Sequence, residues 1–106
     1  MASGRLGVQA IPATTNTTVY TVPTGIYSVF TVSITNRNSS AIRVRLALAA
    51  TGTPNAQDWL EYDVAIVANG VLERTGLVAQ AGLNVVVYSD TANVGCTVYG
   101  IETSTA

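Results

Sequence analysis

The chain is 106 residues long, the usual size of one domain, and a single domain is predicted over residues 1–106. Only 10% of the residues are charged and the net charge is −1, with five scattered arginines as the only cations, so nucleic acid is not an expected partner. The chain contains no histidine and one cysteine, which excludes an intrachain disulfide and removes the commonest general base and metal ligand.

The N-terminal segment MASGRLGVQAIP, residues 1–12, lacks the basic start and long apolar run of a signal peptide. The protein is therefore expected to be made in a cytosol without export by a cleaved signal. No stretch approaches the roughly 18 to 20 apolar residues that span a bilayer, so a membrane partner is not expected. Thr, Ser and Asn supply most of the surface polarity, and such a weakly charged surface favours association with copies or partners.

Apolar and polar residues alternate along most of the chain. In AIRVRLAL, residues 41–48, Ile42, Val44 and Leu46 share one face while two arginines take the other. This alternation, rich in β-branched and aromatic residues, predicts half-buried strands. Clusters of Gly, Pro, Asn, Asp and Ser predict the turns between them. The predicted strands are roughly 5–11, 17–23, 27–36, 41–49, 59–66, 71–78, 83–89 and 94–102.

Short strands at this spacing predict an all-β fold, a single antiparallel β-sandwich or jelly-roll-like domain of about eight short strands. NAQDWL, residues 55–60, is the best candidate for a helical turn, and Gly76 is predicted to mark a bulge. The predicted core consists of Val22, Phe30, Val32, Ile34, Ile42, Val44, Leu46, Leu48, Leu60, Tyr62, Val64, Val85, Val87, Cys96 and Val98.

Four charged residues are predicted on the outer face of two neighbouring strands. Glu61 and Asp63 alternate with apolar residues, as do Arg43 and Arg45 on the preceding strand. If the strands pair, these charges form a cross-strand ladder, and a seam of ion pairs between subunits is the alternative. Acid–base catalysis by the two carboxylates is disfavoured because no cleft is predicted to bury them.

The remaining reactive groups are also interpreted as structural. Glu73 and Arg74 are adjacent on a predicted strand, so they point to opposite faces and one of them can point inward or toward a neighbour. A solvated pair is the default interpretation, and an ion pair that bridges two subunits is the alternative. Cys96 alternates with valines and is predicted to be a buried, unreactive thiol, because no histidine or lysine can activate it. The sparse carboxylates near Asp58 and Asp90 do not form a calcium-binding loop, so no metal is expected.

Seven aromatic residues are predicted to serve mainly as core or interface anchors. Trp59, next to a loop, is the one most suited to an interface. The alternative is a module that stacks sugars on exposed rings, in which case Trp59 or Tyr20 should lie in a groove.

From Ser3 to Glu102 the sequence resembles a family of small virion structural proteins of tailed phages, especially phages of cyanobacteria and other aquatic bacteria. The similar segments are SGRLG, TTNTTVYTVPTGIYSVFTVSITNRNSSAIRVRLALA, WLEYDVAIVANGVLERTGLVAQAGLNVVVYS and VYGIE, in that order. No single motif is diagnostic, and the ordered combination carries the resemblance. It implies a virion component with a β-sandwich fold, no enzymatic activity, no cofactor and no catalytic residues to transfer.

The expected function is a capsid decoration, or cement, subunit that stabilises the head shell as a homo-oligomer bound to the major capsid protein. Residues 1–12 are a candidate N-terminal arm that adds an edge strand to a neighbour's sheet. A tail, baseplate or fibre module that binds a host surface glycan is the alternative, and a small hydrolase is disfavoured. The candidate interface residues are Arg5, Leu6, Val8, Ile11, Arg43, Arg45, Trp59, Glu61, Asp63, Glu73 and Arg74.

Overall fold

The computed structural model describes residues 2–105, which form eight strands and one short 3₁₀ helix. The alternating sequence therefore produces strands where they were predicted, and the helical turn expected within 55–60 is the 3₁₀ helix Ala56–Asp58. None of the helical structure in residues 2–105 is long and apolar enough to cross a membrane. The strands are β1 Ser3–Ile11, β2 Thr17–Thr21, β3 Ile26–Asn36, β4 Ile42–Ala49, β5 Trp59–Ile66, β6 Val71–Ala79, β7 Asn84–Ser89 and β8 Val94–Ser104.

The strands form two four-stranded antiparallel sheets, which confirms the predicted all-β sandwich. The first sheet has the order β1-β8-β3-β6, and the second has the order β2-β7-β4-β5. The candidate arm, residues 1–12, mostly lies in β1, an edge strand of the chain's own first sheet; Met1 is outside the described residues.

One hydrophobic cluster joins the inner faces of both sheets. Phe30, Val32 and Ile34 of the first sheet meet Val44 and Leu46 of the second, and all five are buried. Each fully buried valine or leucine contributes roughly 1.5–3 kcal/mol relative to an exposed one. This shared core buries one face of each sheet and leaves the other face of each sheet on the outside of the domain.

The two long sides of the sandwich are closed differently. On one side β1 approaches β2 so closely that a Cβ on Gly7 would overlap the Val19 carbonyl oxygen. On the other side Arg74 of β6 points inward, beside the core residue Val32, and pairs with Glu61 of β5 at 2.5 Å. Because both side chains remain partly exposed, this ion pair contributes at most about 1 kcal/mol. It links the edge strands of the two sheets.

β6 carries the bulge predicted at Gly76. Its register with β3 shifts between Phe30 and Val32, and Gly76 adopts a φ of +71°. Glycine takes this left-handed conformation without the steric cost that a Cβ would add.

Tyr20 lies in a polar cluster at the margin of the core. Its hydroxyl donates to a Glu102 carboxylate oxygen at 2.5 Å and lies 2.6 Å from the Ser28 hydroxyl. Burial, reinforced by the hydrogen bond to Glu102, raises the pKa of Tyr20 to about 12. The folded state therefore holds the phenolic proton more tightly than the unfolded state does.

This pKa predicts a loss of stability at alkaline pH. A tyrosine whose pKa is raised on folding contributes stability that is complete below the unfolded pKa, about 10, and is lost as the pH rises through about 12. Between these values the unfolding free energy of the wild type should fall faster than that of Tyr20→Phe, by up to about 1.4 kcal/mol per pH unit. Urea titrations at several pH values measure the slopes. Tyr27→Phe, at an exposed position, should keep the wild-type slope, and equal slopes in all three proteins would contradict the prediction.

Cys96 is buried in β8, as predicted, and burial raises the pKa of its thiol to about 12. Because the thiolate is the nucleophile, the native protein should resist maleimide at pH 7 and react fully only after unfolding. Ser39→Cys, in an exposed loop, supplies a matched accessible thiol. Mass spectrometry should find one adduct on this variant when native and two in denaturant. Rapid labelling of native wild-type protein would show that Cys96 is accessible.

Candidate functional site

The outer face of the first sheet is unusually apolar. Nine large hydrophobic side chains are exposed among the described residues, and pairing places seven of them on this face. These seven are Val8, Tyr27, Val29, Val71, Val78, Tyr99 and Ile101. We refer to this outer surface of β1, β8, β3 and β6 as the apolar face. Solvent-exposed apolar groups concentrated on one sheet surface are typical of a contact site between proteins.

A continuous apolar row crosses three strands of this surface near one end of the sheet. Ile101 of β8 pairs with Val29 of β3, and Val29 pairs in turn with Val78 of β6. Directly opposite residues in an antiparallel sheet project on the same side, so the three side chains stand beside one another. The next rows contain threonine and serine from β3 and threonine from β8, which are polar but uncharged.

Two charged residues flank the apolar face, and both were predicted as interface residues. Arg5 lies on β1, opposite Tyr99, and Glu73 lies on β6, opposite Ser33. The Tyr99 hydroxyl reaches across β3 and donates to the Glu73 carboxylate at 3.0 Å, which raises the pKa of Tyr99. The predicted solvated pair of Glu73 with Arg74 is wrong, because Arg74 points inward to Glu61 and Glu73 points outward to Tyr99.

The other β1 candidates divide between surface and core. Val8 belongs to the apolar face, whereas Ile11 is buried and Leu6 packs against the same hydrophobic core. Leu6 occupies a bulge between the pairs formed by Arg5 and Gly7. In this fold, Leu6 and Ile11 therefore anchor β1 to its own domain.

The outer face of the second sheet carries a different cluster, built around Arg45. Its guanidinium lies 4.2 Å from the ring centre of Tyr62 and 4.5 Å from that of Tyr88. Asp63 holds the same guanidinium at 2.7 Å, while Arg43 donates to the Asp63 main-chain carbonyl at 3.0 Å. Cation–π contacts and an ion pair together hold Arg45 in place.

A bulge in β5 creates this arrangement. Val44 pairs with Val64 and Leu46 pairs with Glu61, so both Tyr62 and Asp63 stand opposite Arg45. Asp63 has a φ of +54°, a left-handed backbone conformation that residues other than glycine adopt uncommonly. The bulge turns Tyr62 outward, with 55% of its surface exposed, and its predicted core position is therefore wrong.

The predicted charge ladder is consequently only half correct. The Arg45–Asp63 pair is confirmed, but Glu61 projects to the side of Leu46 and pairs with Arg74 of the opposite sheet. Regular alternation would have placed Glu61 and Asp63 together, and the extra residue in β5 separates them.

Trp59 covers a second, smaller hydrophobic cluster on this face. It packs against Ala47, Ala49 and Val86 and meets Tyr62 edge to face, with ring centres 5.6 Å apart. Trp59 and Tyr62, together with Ala56, line a cleft of about 410 Å³. This is the groove beside Trp59 that the glycan alternative requires, but Tyr20 is buried and is not available to such a groove.

The carboxylate and thiol side chains, which could take part in acid–base or nucleophilic chemistry, are mostly engaged in structural contacts. Glu61 and Asp63 are in ion pairs, Glu73 and Glu102 accept hydrogen bonds from tyrosine hydroxyls, and Cys96 is buried. Within residues 2–105, no three His, Cys, Asp or Glu side chains are grouped so that they could hold a metal ion.

Comparison with known proteins finds no match to this chain among family models, curated proteins or solved structures.

Proposed function

We propose that the protein is a non-enzymatic structural subunit whose apolar face packs against other protein subunits. The concentration of seven exposed hydrophobic side chains on one sheet surface carries this proposal. Burial of a cluster of this kind on association is favourable by roughly 25 cal/mol per Å² of apolar surface removed from water. The engagement of the carboxylates and the thiol in structural contacts supports a role without chemistry.

The sequence resemblance makes the proposal more specific, because it points to a virion protein of a tailed phage. The weakly charged surface, suited to contact with other subunits, favours a capsid decoration subunit on the major capsid protein. Cryo-electron microscopy of the intact particle tests this assignment. Many copies on the head shell are the expected result. Copies confined to the tail tip would exclude the cement function while leaving a structural function in place.

The role of the apolar face can be tested with two matched substitutions. Val78 lies on this face and is 61% exposed, whereas Val67 lies in the β5–β6 connection and is 69% exposed. Val78→Asp should abolish attachment of the purified protein to particles that lack it, because it places a charge in a desolvated contact. Val67→Asp should attach like the wild type. Equal attachment of both variants would remove the apolar face from the proposed function.

The cleft beside Trp59 supports a second candidate, a module that binds a host surface glycan. The C–H groups of a sugar ring are attracted to the electron-rich faces of aromatic rings, and a cleft of about 410 Å³ accommodates one small ligand. Isothermal titration with host envelope polysaccharide provides the test. Tyr62→Ala should abolish the binding, whereas Tyr27→Ala, an exposed tyrosine on the apolar face, should not. Absence of binding in the wild type would eliminate this candidate.

A further inference from the structure

The two charges that flank the apolar face cannot satisfy each other within one chain. Arg5 and Glu73 lie on the two opposite edge strands of the first sheet, three strand spacings or about 14 Å apart. Within residues 2–105, Arg5 takes part in neither of the two ion pairs. One positive group and one negative group therefore face outward from opposite margins of an otherwise uncharged surface.

This arrangement is self-complementary under a two-fold rotation. The midpoint between β1 and β6 is the boundary of β8 and β3, which is the centre of the sheet. Arg5 lies level with Thr31 of β3 and Glu73 lies level with Ser33, so the line that joins them crosses the sheet obliquely. A two-fold axis in the plane of the interface, perpendicular to that line at its midpoint, exchanges the two positions and with them the two margins of the sheet. It places Arg5 of each copy over Glu73 of the other, and it stacks the two apolar faces on each other. A two-fold interface uses the same surface on both subunits, so each favourable contact occurs twice.

We propose that a second copy of this chain covers the apolar face, in a two-fold, sheet-on-sheet dimer held in register by two Arg5–Glu73 ion pairs. This proposal rests on the proposed function, in which the apolar face is a contact surface, and it identifies the partner. Aligned packing of two sheets is a common way to bury such faces.

Tyr99 prepares the acidic side of this contact. Its hydroxyl binds the Glu73 carboxylate and draws it over the face from the β6 margin. Tyr99 also stands directly beside Arg5 in the β1–β8 register, so one aromatic side chain links the two charged positions. The carboxylate is thus restricted before association, and less side-chain entropy is lost when the second copy binds.

The size of the face suits a dimer of moderate strength. Four strands about 4.8 Å apart and roughly 30–36 Å long present about 600 Å² per copy, or about 1,200 Å² in the pair. That total is at the lower end of specific protein–protein interfaces. We therefore expect concentration-dependent dimerisation in the micromolar range.

Charge reversal tests the pairing directly. Sedimentation equilibrium should show that Arg5→Glu and Glu73→Arg each weaken self-association by at least about ten-fold, because each places like charges opposite one another twice. The double variant should regain the wild-type affinity. A mixture of the two single variants should form a heterodimer, since both of its contacts then join opposite charges. Arg37→Glu, in the β3–β4 loop, is the control and should dimerise like the wild type.

Three results would overturn the dimer. The first is a wild type that stays monomeric at roughly 100 μM. The second is a pair of single charge reversals that leave the dimer affinity unchanged, and the third is a double variant that does not regain the wild-type affinity. The proposed function fails separately, if Val78→Asp still attaches to particles. A monomeric wild type together with loss of attachment in Val78→Asp would keep the structural function and assign the apolar face to another virion protein.

Discussion

Replacement of Gly100 by alanine should destabilise the protein by about 3 kcal/mol or more, a large fraction of the stability of a domain of this size. Gly100 lies in β8, between β1 and β3, directly opposite Phe30. An added Cβ would overlap the Val29 carbonyl oxygen and lie 2.6 Å from the Phe30 Cα. Both obstacles are main-chain atoms of β3, so no rotamer change relieves the clash. Either β3 and β8 separate locally or the sheet loses its register.

Gly95→Ala is the matched control for this prediction. Gly95 lies in the same strand, and a Cβ there meets no atom within 4 Å. Alanine restricts the unfolded chain without a native clash, so the expected change is within about 1 kcal/mol and in the stabilising direction. Urea unfolding followed by circular dichroism compares the two variants with the wild type. Similar stabilities for Gly95→Ala and Gly100→Ala would show that β8 and β3 are not packed as closely as described.

The strands were predictable because alternation in this chain follows burial closely. In β3, Phe30, Val32 and Ile34 are buried, and the threonine and serine between them project outward. The bulge in β6 was also predictable, since Gly76 supplies the conformation that a bulge needs. These features depend only on neighbouring residues.

The bulge in β5 had no comparable signal. Asp63 occupies the left-handed position of this bulge. Aspartate is more frequent in that conformation than most residues other than glycine, but it is not a distinctive signal for it. The sequence LEYDVAI alternates as well as any strand in the chain, so Tyr62 was expected inside and Glu61 outside. The residue inserted between the partners of Val44 and Leu46 reverses both, because side chains in a strand alternate with a period of two. A second register shift, between Leu46 and Ala47, returns Leu60 to the core side. The contact of Tyr62 with Arg45 depends on that reversal, whereas Tyr88 faces Arg45 through the regular β4–β7 register.

The apolar face was missed for a different reason. Val29, Val78 and Ile101 each look like an isolated hydrophobic residue at an outward position, and single exposed hydrophobic residues are normal. They form a row only because β8 and β6 both pair with β3 in the observed registers. Those strands are far apart in sequence, and alternation alone does not specify which strands become neighbours. By contrast, Arg5 was identified as an interface candidate within the N-terminal arm, and Glu73 as one member of an ion pair between subunits.

Replacement of Asn36 by aspartate should cost about 3–5 kcal/mol at neutral pH, because it puts a charge into a fully buried site built for an amide. The Asn36 Nδ2 group donates to the carbonyls of Ser40, Ile66 and Val67 at 3.0, 3.2 and 3.0 Å. Its Oδ1 atom accepts from the main-chain N–H of Asn38 at 2.9 Å. One side chain thus joins the β3–β4 and β5–β6 connections. An aspartate would point an oxygen at three carbonyl oxygens and remove the donor that they share.

The cost of this substitution should depend on pH. Protonation of the introduced carboxyl group restores one donor and removes the buried charge, so its pKa in the folded state is raised by desolvation and by the facing carbonyls. The stability deficit relative to the wild type should therefore shrink as the pH falls from 7 toward 4. Asn16→Asp, in the exposed β1–β2 loop, should stay within about 0.5 kcal/mol of the wild type at neutral pH. Urea unfolding at pH 7, 5.5 and 4 measures all three proteins. A deficit that does not depend on pH would show that lost packing, and not the missing donor and the buried charge, determines the cost.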